Sequence, residues 1–297
     1  MMSAIENSII KIDVNNCTKC KECVKDCVAN LFYIEQDLLH IVDSFEDRCI
    51  ECGHCEAVCP VNVIRLKFHE EGELELTSVR EEIPTYDKFL NLVLKRRSIR
   101  RFKEKAIPKD LIEKLLKVGR YSPTGGNSEN VYYTVVQDKN IVTTISKHIT
   151  SRLTKLVNAL EDPKGRDMLK KSKSEEEINQ ALENLPSIKR KLEMIEKGID
   201  FWCWNGELII IHGDKVEGGI PSDTALAAAH IMLAAEILGL GACSLGYLTN
   251  FFNEYQTIRE LIKIPSNHTV GYCFTIGYPD VKYKRIPARK PSRIQWL

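Results

Sequence analysis

Eight of the eleven cysteines in this chain fall between Cys17 and Cys59, in two runs of identical spacing. The first is Cys17, Cys20, Cys23 and Cys27; the second is Cys49, Cys52, Cys55 and Cys59, with Pro60 behind it. Both read C-x2-C-x2-C-x3-C. Three thiolates so closely spaced can wrap one face of an iron–sulfur cubane, while the fourth reaches a different cluster. Each run therefore needs the other. By that crossing, one [4Fe–4S] cluster takes Cys17, Cys20, Cys23 and Cys59, and a second takes Cys49, Cys52, Cys55 and Cys27. The alternatives are zinc and disulfides. Zinc is usually held by two separated pairs of ligands, and disulfide frameworks belong to small secreted chains. Val28 stands where a proline usually follows the fourth cysteine, which changes the local turn and removes no ligand.

The other three cysteines, Cys203, Cys243 and Cys273, are scattered through apolar sequence and read as small buried hydrophobes. That split alone marks a boundary. With 297 residues the chain has room for two domains, and 43% hydrophobic with 28% charged residues is the balance of a globular protein. A formal net charge of +1 supplies no global field for nucleic acid or an anionic membrane. The N-terminus lacks the basic start and apolar run of a signal peptide. The most apolar stretch, Ala225 to Leu240, is interrupted by His230 and Glu236 and is too short to span a bilayer. A cytoplasmic location is the expectation, with neither nucleic acid nor membrane as partner.

Residues 1–75 hold the clustered cysteines and little helical periodicity. A charged connector, His69 to Glu82, leads to residues 86–297, where helical and strand patterns alternate. Helices are expected at Asp87–Lys95, Pro108–Tyr121, Ile141–Leu160, Glu175–Lys197, Asp223–Leu240 and Phe251–Ile264, with a Pro- and Gly-containing joint at Pro163 and Gly165. Strands are expected at Val131–Gln137, Leu208–His212 and His268–Tyr278. This order suggests an α+β domain with an antiparallel finish.

Four short segments in the second part carry chemistry. Arg96, Arg97, Ser98 and Arg100 could surround a phosphate, because guanidinium forks match its oxygens and a hydroxyl adds a neutral donor; a solvated basic run is the plain alternative. Ser122-Pro123-Thr124-Gly125-Gly126-Asn127 lets backbone donors approach a flat ring, or simply ends a helix. Leu238 to Gly246 superficially evokes a dinucleotide loop, but it follows a helix rather than opening one after a strand, so a tight helix-to-strand turn is the better reading. The tail from Lys282 to Arg293 is basic and proline-punctuated, or a frayed terminus.

In this order the pieces resemble two families. The cysteine runs are similar to bacterial two-cluster ferredoxins, which move single electrons. From Tyr86 onward, RRSIRRF, SPTGGN, LGLGACSLG and IGYPD together resemble the FMN-dependent nitroreductase family. That resemblance implies that Arg96, Arg97, Ser98 and Arg100 hold the FMN phosphate and ribityl chain, with Arg289 adding charge. It implies that Pro123, Thr124, Gly125 and Asn127 line the flavin from the partner subunit of a homodimer, and that the amides of Leu245 and Gly246 face the N5 edge. The activity implied is reduction of a small electron-poor acceptor, a nitroaromatic or a quinone, with electrons from a ferredoxin or NAD(P)H. An electron carrier or redox sensor, or a reductase of an enone or halogenated aromatic, are the rival functions. His148, His212, His230 and His268 read as structural. Two departures bear on the substrate pocket rather than the cofactor: Ser128-Glu129-Asn130 follows Asn127 where relatives often have Gln-Pro-Trp, and the charged segment from Thr150 to Gly198 is longer than in simple members.

Overall fold

The computed structural model describes residues 4–67, 83–172 and 174–297. The connector expected from His69 to Glu82 lies outside them. The chain divides into two compact units: one runs to Ile83 and takes in Gly126–Ser128, the other comprises Pro84–Gly125 and Glu129–Leu297.

The N-terminal unit repeats itself. Its cysteines pair off at one constant offset, 17 with 49, 20 with 52, 23 with 55 and 27 with 59, and so do its left-handed backbone positions. Lys19 and Glu51 have φ of 59° and 51°, Lys21 and Gly53 of 67° and 74°, Asn30 and Asn62 of 51° and 56°. Such φ values cost a side chain energy. Their recurrence at matched places therefore reports a demand of the cysteine loops, not of the individual residues. After Lys21 and Gly53 the chain enters the short helices α1 (Glu22–Asp26) and α3 (His54–Ala57); α2 (Phe45–Arg48) lies between them. Strands β1 (Ile5–Glu6), β2 (Ile10–Ile12) and β5 (Ile64–Leu66) form one antiparallel sheet, with Ile10 opposite Leu66 and Ile12 opposite Ile64. A hairpin joins β3 (Phe32–Glu35) to β4 (Leu38–Ile41) through Gln36 and Asp37, both at positive φ, the geometry whose twist matches its strands. Ile10, Ile12, Leu31, Phe32, Phe45, Ile64 and Leu66 make its core, and Phe32 meets Phe45 edge-on at 5.6 Å. Inside this unit Glu56, 2% exposed, is compensated by Arg65 at 3.4 Å.

The larger unit is built on a four-stranded antiparallel sheet in the order β6 (Tyr132–Val136), β7 (Glu207–Asp214), β9 (His268–Gly277), β8 (Gly241–Ser244). Strand β7 is apolar on both faces. Leu208 and Ile210 enter one core with Trp202 and Phe252, while Ile209 and Ile211 enter the other with Ile231 and Phe274. Helices α5 (Lys109–Arg120) and α9 (Ile220–Ile237) belong to the second core, α4 (Tyr86–Lys95) lies against α9 without burying a residue of its own, and α9 approaches β9 so closely that a Cβ on Gly271 would stand 2.2 Å from Thr224 Oγ1. The alanines explain the approach: Ala227, Ala228 and Ala235 are fully buried. On the other face lie α6 (Lys139–Glu161), α10 (Gly246–Glu254) and α11 (Gln256–Leu261), followed outward by α7 (Pro163–Leu169) and α8 (Glu175–Glu196).

The α+β expectation holds, with local corrections. The joint at Pro163 and Gly165 is itself helical, because Asp162 caps it by accepting from the Lys164 and Gly165 amides and Pro163 occupies its first position. The helix expected over Phe251–Ile264 is two helices, parted at Tyr255, whose φ of −113° and ψ of 98° are extended. No helix among the described residues is long and apolar enough to cross a membrane.

Candidate functional site

Two voids in the N-terminal unit sort the cysteines. One is lined by Cys17, Cys20, Cys23 and Cys59, the other by Cys49, Cys52, Cys55 and Cys27. Each quartet is therefore three cysteines of one run and the last of the other. Each quartet borders its own void, as the ligands of a multi-atom cluster would. Backbone amides already point at two sulfurs, Lys19 N–H at Cys17 and Leu31 N–H at Cys27, both at 3.4 Å. Hydrogen bonds of this kind tune the potential of thiolate-held iron.

As free thiols, the buried members Cys23, Cys49 and Cys55 resist ionisation. Burial, reinforced by Cys17 and Cys20, pushes Cys23 up to about 11, and burial with Cys49 pushes Cys55 up to about 12. A Lewis-acidic metal centre would be needed to hold Cys23, Cys49 and Cys55 as thiolates at neutral pH, so loading would release protons. The donor set fits iron–sulfur clusters.

In the larger unit the basic segment is pinned by its backbone. Ser98 bridges Ala242 of β8 in parallel, Ile99 N–H donates to the Ala242 carbonyl at 3.0 Å, and Phe102 bridges Pro279. A Cβ on Gly241 would stand 2.3 Å from Ile99 Cγ1, so glycine is what lets segment and strand touch. Ile99, 4% exposed, anchors one side. Its neighbours Ser98 and Arg100 both act on Cys243. Burial pushes that thiol up, opposed first by Arg100, then by Ser98 and more distantly by Arg96. Three of the four residues expected at the phosphate thus gather at one strand. The Arg100 guanidinium also lies 5.8 Å from the Trp204 ring centre. Arg97 is half-buried and is not among the groups acting on Cys243. Arg289 is exposed, in a tail without regular structure.

The turn into β8 is a helix terminus, as its order in the sequence implies. Gly239, at φ 72°, follows the last residues of α9; Leu240 N–H returns to the Ala235 carbonyl at 2.8 Å and Gly239 N–H to Glu236 at 3.3 Å, a Schellman closure. Beyond β8 the amide of Leu245 donates to the Cys273 carbonyl at 2.9 Å, so it ties α10 to β9 and is not directed at a ligand. Gly246 opens α10, where amides lack intrahelical acceptors, and a Cβ there would meet nothing within 4 Å.

The SPTGGN loop is held by a residue that sequence reasoning placed only at the head of a helix. Asp223, 4% exposed in the first turn of α9, accepts from Gly125 N–H at 3.1 Å and from Ser222 Oγ at 3.1 Å. Thr124 Oγ1 accepts from Glu129 N–H at 3.0 Å. Gly126 and Asn127 follow at φ 59° and 55°, conformations that glycine and asparagine tolerate. Pro123 is exposed at the start of the loop. A buried carboxylate at a helix N-terminus was the available signal for Asp223. His212 and His268 are hydrogen-bonded to each other at 2.8 Å within the sheet, away from these groups in sequence and packing, as a structural pair would be.

Comparison with protein families matches residues 93–278 to the nitroreductase family and residues 16–64 to a 4Fe-4S dicluster domain. A protein of Archaeoglobus fulgidus, provisionally named as an NADH dehydrogenase/NAD(P)H nitroreductase, is 26% identical over 211 residues, 69% of this chain and 95% of its own length. A ferredoxin of Methanocaldococcus jannaschii, itself uncharacterised, is 37% identical over 60 residues, 20% of this chain and 94% of its own. A BluB-like flavoprotein of Clostridium difficile 630 shares the fold at a TM-score of 0.50 and 16% identity, over 70% of this chain and 99% of that one.

Proposed function

This chain belongs to the nitroreductase family and carries a 4Fe-4S dicluster domain ahead of it, and from that premise we propose an FMN-dependent oxidoreductase fed by two [4Fe–4S] clusters. Its acceptors would be nitroaromatic or quinone-type molecules, and its donor a reduced ferredoxin or NAD(P)H. Bound FMN would supply hydride or one-electron transfer and the clusters single electrons.

The crossed cysteine quartets carry this proposal, because a chain that encloses two such voids has little other use for eight ordered thiols. Cys17, Cys20, Cys23 and Cys59 would hold one cluster, and Cys49, Cys52, Cys55 and Cys27 the other. Arg100, Ser98 and Arg96, gathered at β8, would grip the FMN phosphate, with Arg97 and Arg289 adding positive charge. Pro123, Thr124, Gly125 and Asn127 would line the ring, contributed across a homodimer. Gly246 would present its amide to the ring edge, where a fixed donor favours added negative charge; Leu245 would set the angle of that turn through its bond to Cys273.

Anaerobic turnover tests the proposal. With reduced ferredoxin or NAD(P)H, the purified protein should convert 4-nitrobenzoate or a benzoquinone through many cycles per flavin. Less than one conversion per chain with either donor would overturn the enzyme reading.

A further inference from the structure

The larger unit contains a second concavity, remote in sequence from residues 96–100 and unused by anything described above. We propose that it is a binding site for a planar aromatic anion, a carboxylate or sulfonate of one or two rings. The inference stands on this cleft alone and does not rest on the flavin reading.

The cleft has a volume of ≈ 520 Å³ and lies among α6, α8 and α10, with Trp202 at its base. That volume falls within the range of small-ligand sites. Four rings line it among aliphatic side chains such as Ile149, Leu153, Leu156 and Ile188: Trp202 meets Tyr247 at 5.5 Å, edge to face, and Phe251 lies 4.6 Å from Tyr255. The polar tips of three of them are already engaged by protein. Tyr247 Oη donates to the Phe201 carbonyl at 3.0 Å, Trp202 Nε1 to Thr150 Oγ1 at 2.9 Å, and Tyr255 Oη takes the Arg152 Nε–H. With those tips engaged, the rings offer an occupant their faces and edges and the aliphatic side chains add apolar contact, a lining that suits a flat apolar body such as an aromatic ring.

The rim supplies the charge preference. Arg152, Lys155 and Lys191 line the cleft against a single carboxylate, Glu254, so the balance is three positive charges to one negative. Arg152 lies over the Tyr255 ring at 4.8 Å, so one of the cations sits directly at an aromatic wall, while Lys191, also on the rim, lies 5.4 Å from the ring of Phe201 outside the cleft. Among the described residues neither Lys155 nor Lys191 has a carboxylate partner. An aromatic slot edged by unneutralised ammonium groups discriminates between an anion and its neutral isostere, because only the anion gains charge-assisted hydrogen bonds. A neutral ring would gain the stacking alone. The walls come largely from the long helical segment between β6 and β7, the part of the chain whose length the sequence marks as unusual.

Calorimetry on the holoprotein with two probes that a flavin cannot reduce, 2-naphthoate and 2-naphthamide, tests the site. The carboxylate should bind about tenfold tighter than the amide, the effect of one charge-assisted contact. The Lys155→Gln/Lys191→Gln variant should lose most of that preference while retaining its cofactor content, and Phe251→Ala should weaken both probes alike. Equal affinity for the two probes would overturn the proposal. So would a preference that survives in the double-lysine variant but disappears in Arg100→Met, since that result places the anion at the other basic cluster. A protein that lacks FMN yet shows the lysine-dependent preference would refute the flavin reading and leave this one standing.

Discussion

Replacing Asp223 by alanine removes the carboxylate that ties the SPTGGN loop to α9. Two contacts go with it: Gly125 N–H to Oδ2 and Ser222 Oγ–H to Oδ1, both 3.1 Å. A hydrogen bond to a charged acceptor is worth roughly 1.5–3 kcal/mol when its geometry is good. The side chain is 4% exposed, so water does not take over its role within the native packing. Its negative charge in the first helical turn adds about 0.3–1 kcal/mol. Because Gly125 is at the surface and water can satisfy its amide once the loop lifts, the net cost should be about 2–3 kcal/mol. For a unit of this size each kcal/mol lowers Tm by roughly 2–4 °C, so the variant should melt about 4–12 °C lower. Asp223→Asn keeps an acceptor and should lose about half as much. Differential scanning calorimetry reads the stability, and hydrogen exchange at residues 123–129 reads the loop, which should lose protection in the alanine variant. FMN retention should fall in parallel if this loop lines the ring. An alanine variant melting within about 1 °C of the parent, with unchanged loop protection, would refute the reasoning behind these numbers.

The crossed quartets predict that Cys59→Ala impairs the cluster of Cys17, Cys20 and Cys23 and spares the other, while Cys27→Ala does the reverse; each should lose up to about half of the iron, and a Cys59→Ala variant whose altered signal maps to Cys49, Cys52 and Cys55 would contradict the crossing. His212 gives a pH prediction. Burial, with His268 and Arg259 adding to it, lowers its pKa from 6.5 to about 4, so the folded state holds it neutral where the unfolded chain would protonate it. The stability this contributes is complete above pH 6.5 and is lost as pH falls toward 4, by up to about 3 kcal/mol. Denaturant unfolding of the parent and of His212→Asn should differ in slope only in that window, and identical pH profiles would refute the assignment.

The cluster unit was legible because iron–sulfur ligation is a local matter of spacing: the cysteines from 17 to 59 announce themselves as candidate ligands, and the two voids group them as the spacing rule expects. Its hairpin was not legible. Gln36 and Asp37 carry positive φ without the glycine that usually announces such a turn, and the strands they join are four residues each. In the larger unit, buried strands such as β7 showed in their apolar runs, whereas β8 hid as four small residues at the end of a helix-terminating motif. Tyr255 splits two helices with neither proline nor glycine to mark the break, which only packing against Arg152 and Phe251 reveals. Basic residues 96–100 could be read as phosphate ligands by residue type, but that Arg100 and Ser98 converge on Cys243 depends on β8 as a partner. Asp223 is the clearest omission. Its role depends on Gly125, 98 residues earlier, and no local pattern reports a contact of that separation.

The central claim is that eight thiols enclose inorganic clusters in a chain that also grips a flavin phosphate. Anaerobic purification, with iron, acid-labile sulfide and FMN counted per chain, tests it most directly. About eight irons, about eight sulfides and about one FMN are expected. A well-folded, colourless preparation containing zinc, or no prosthetic group at all, would contradict the account.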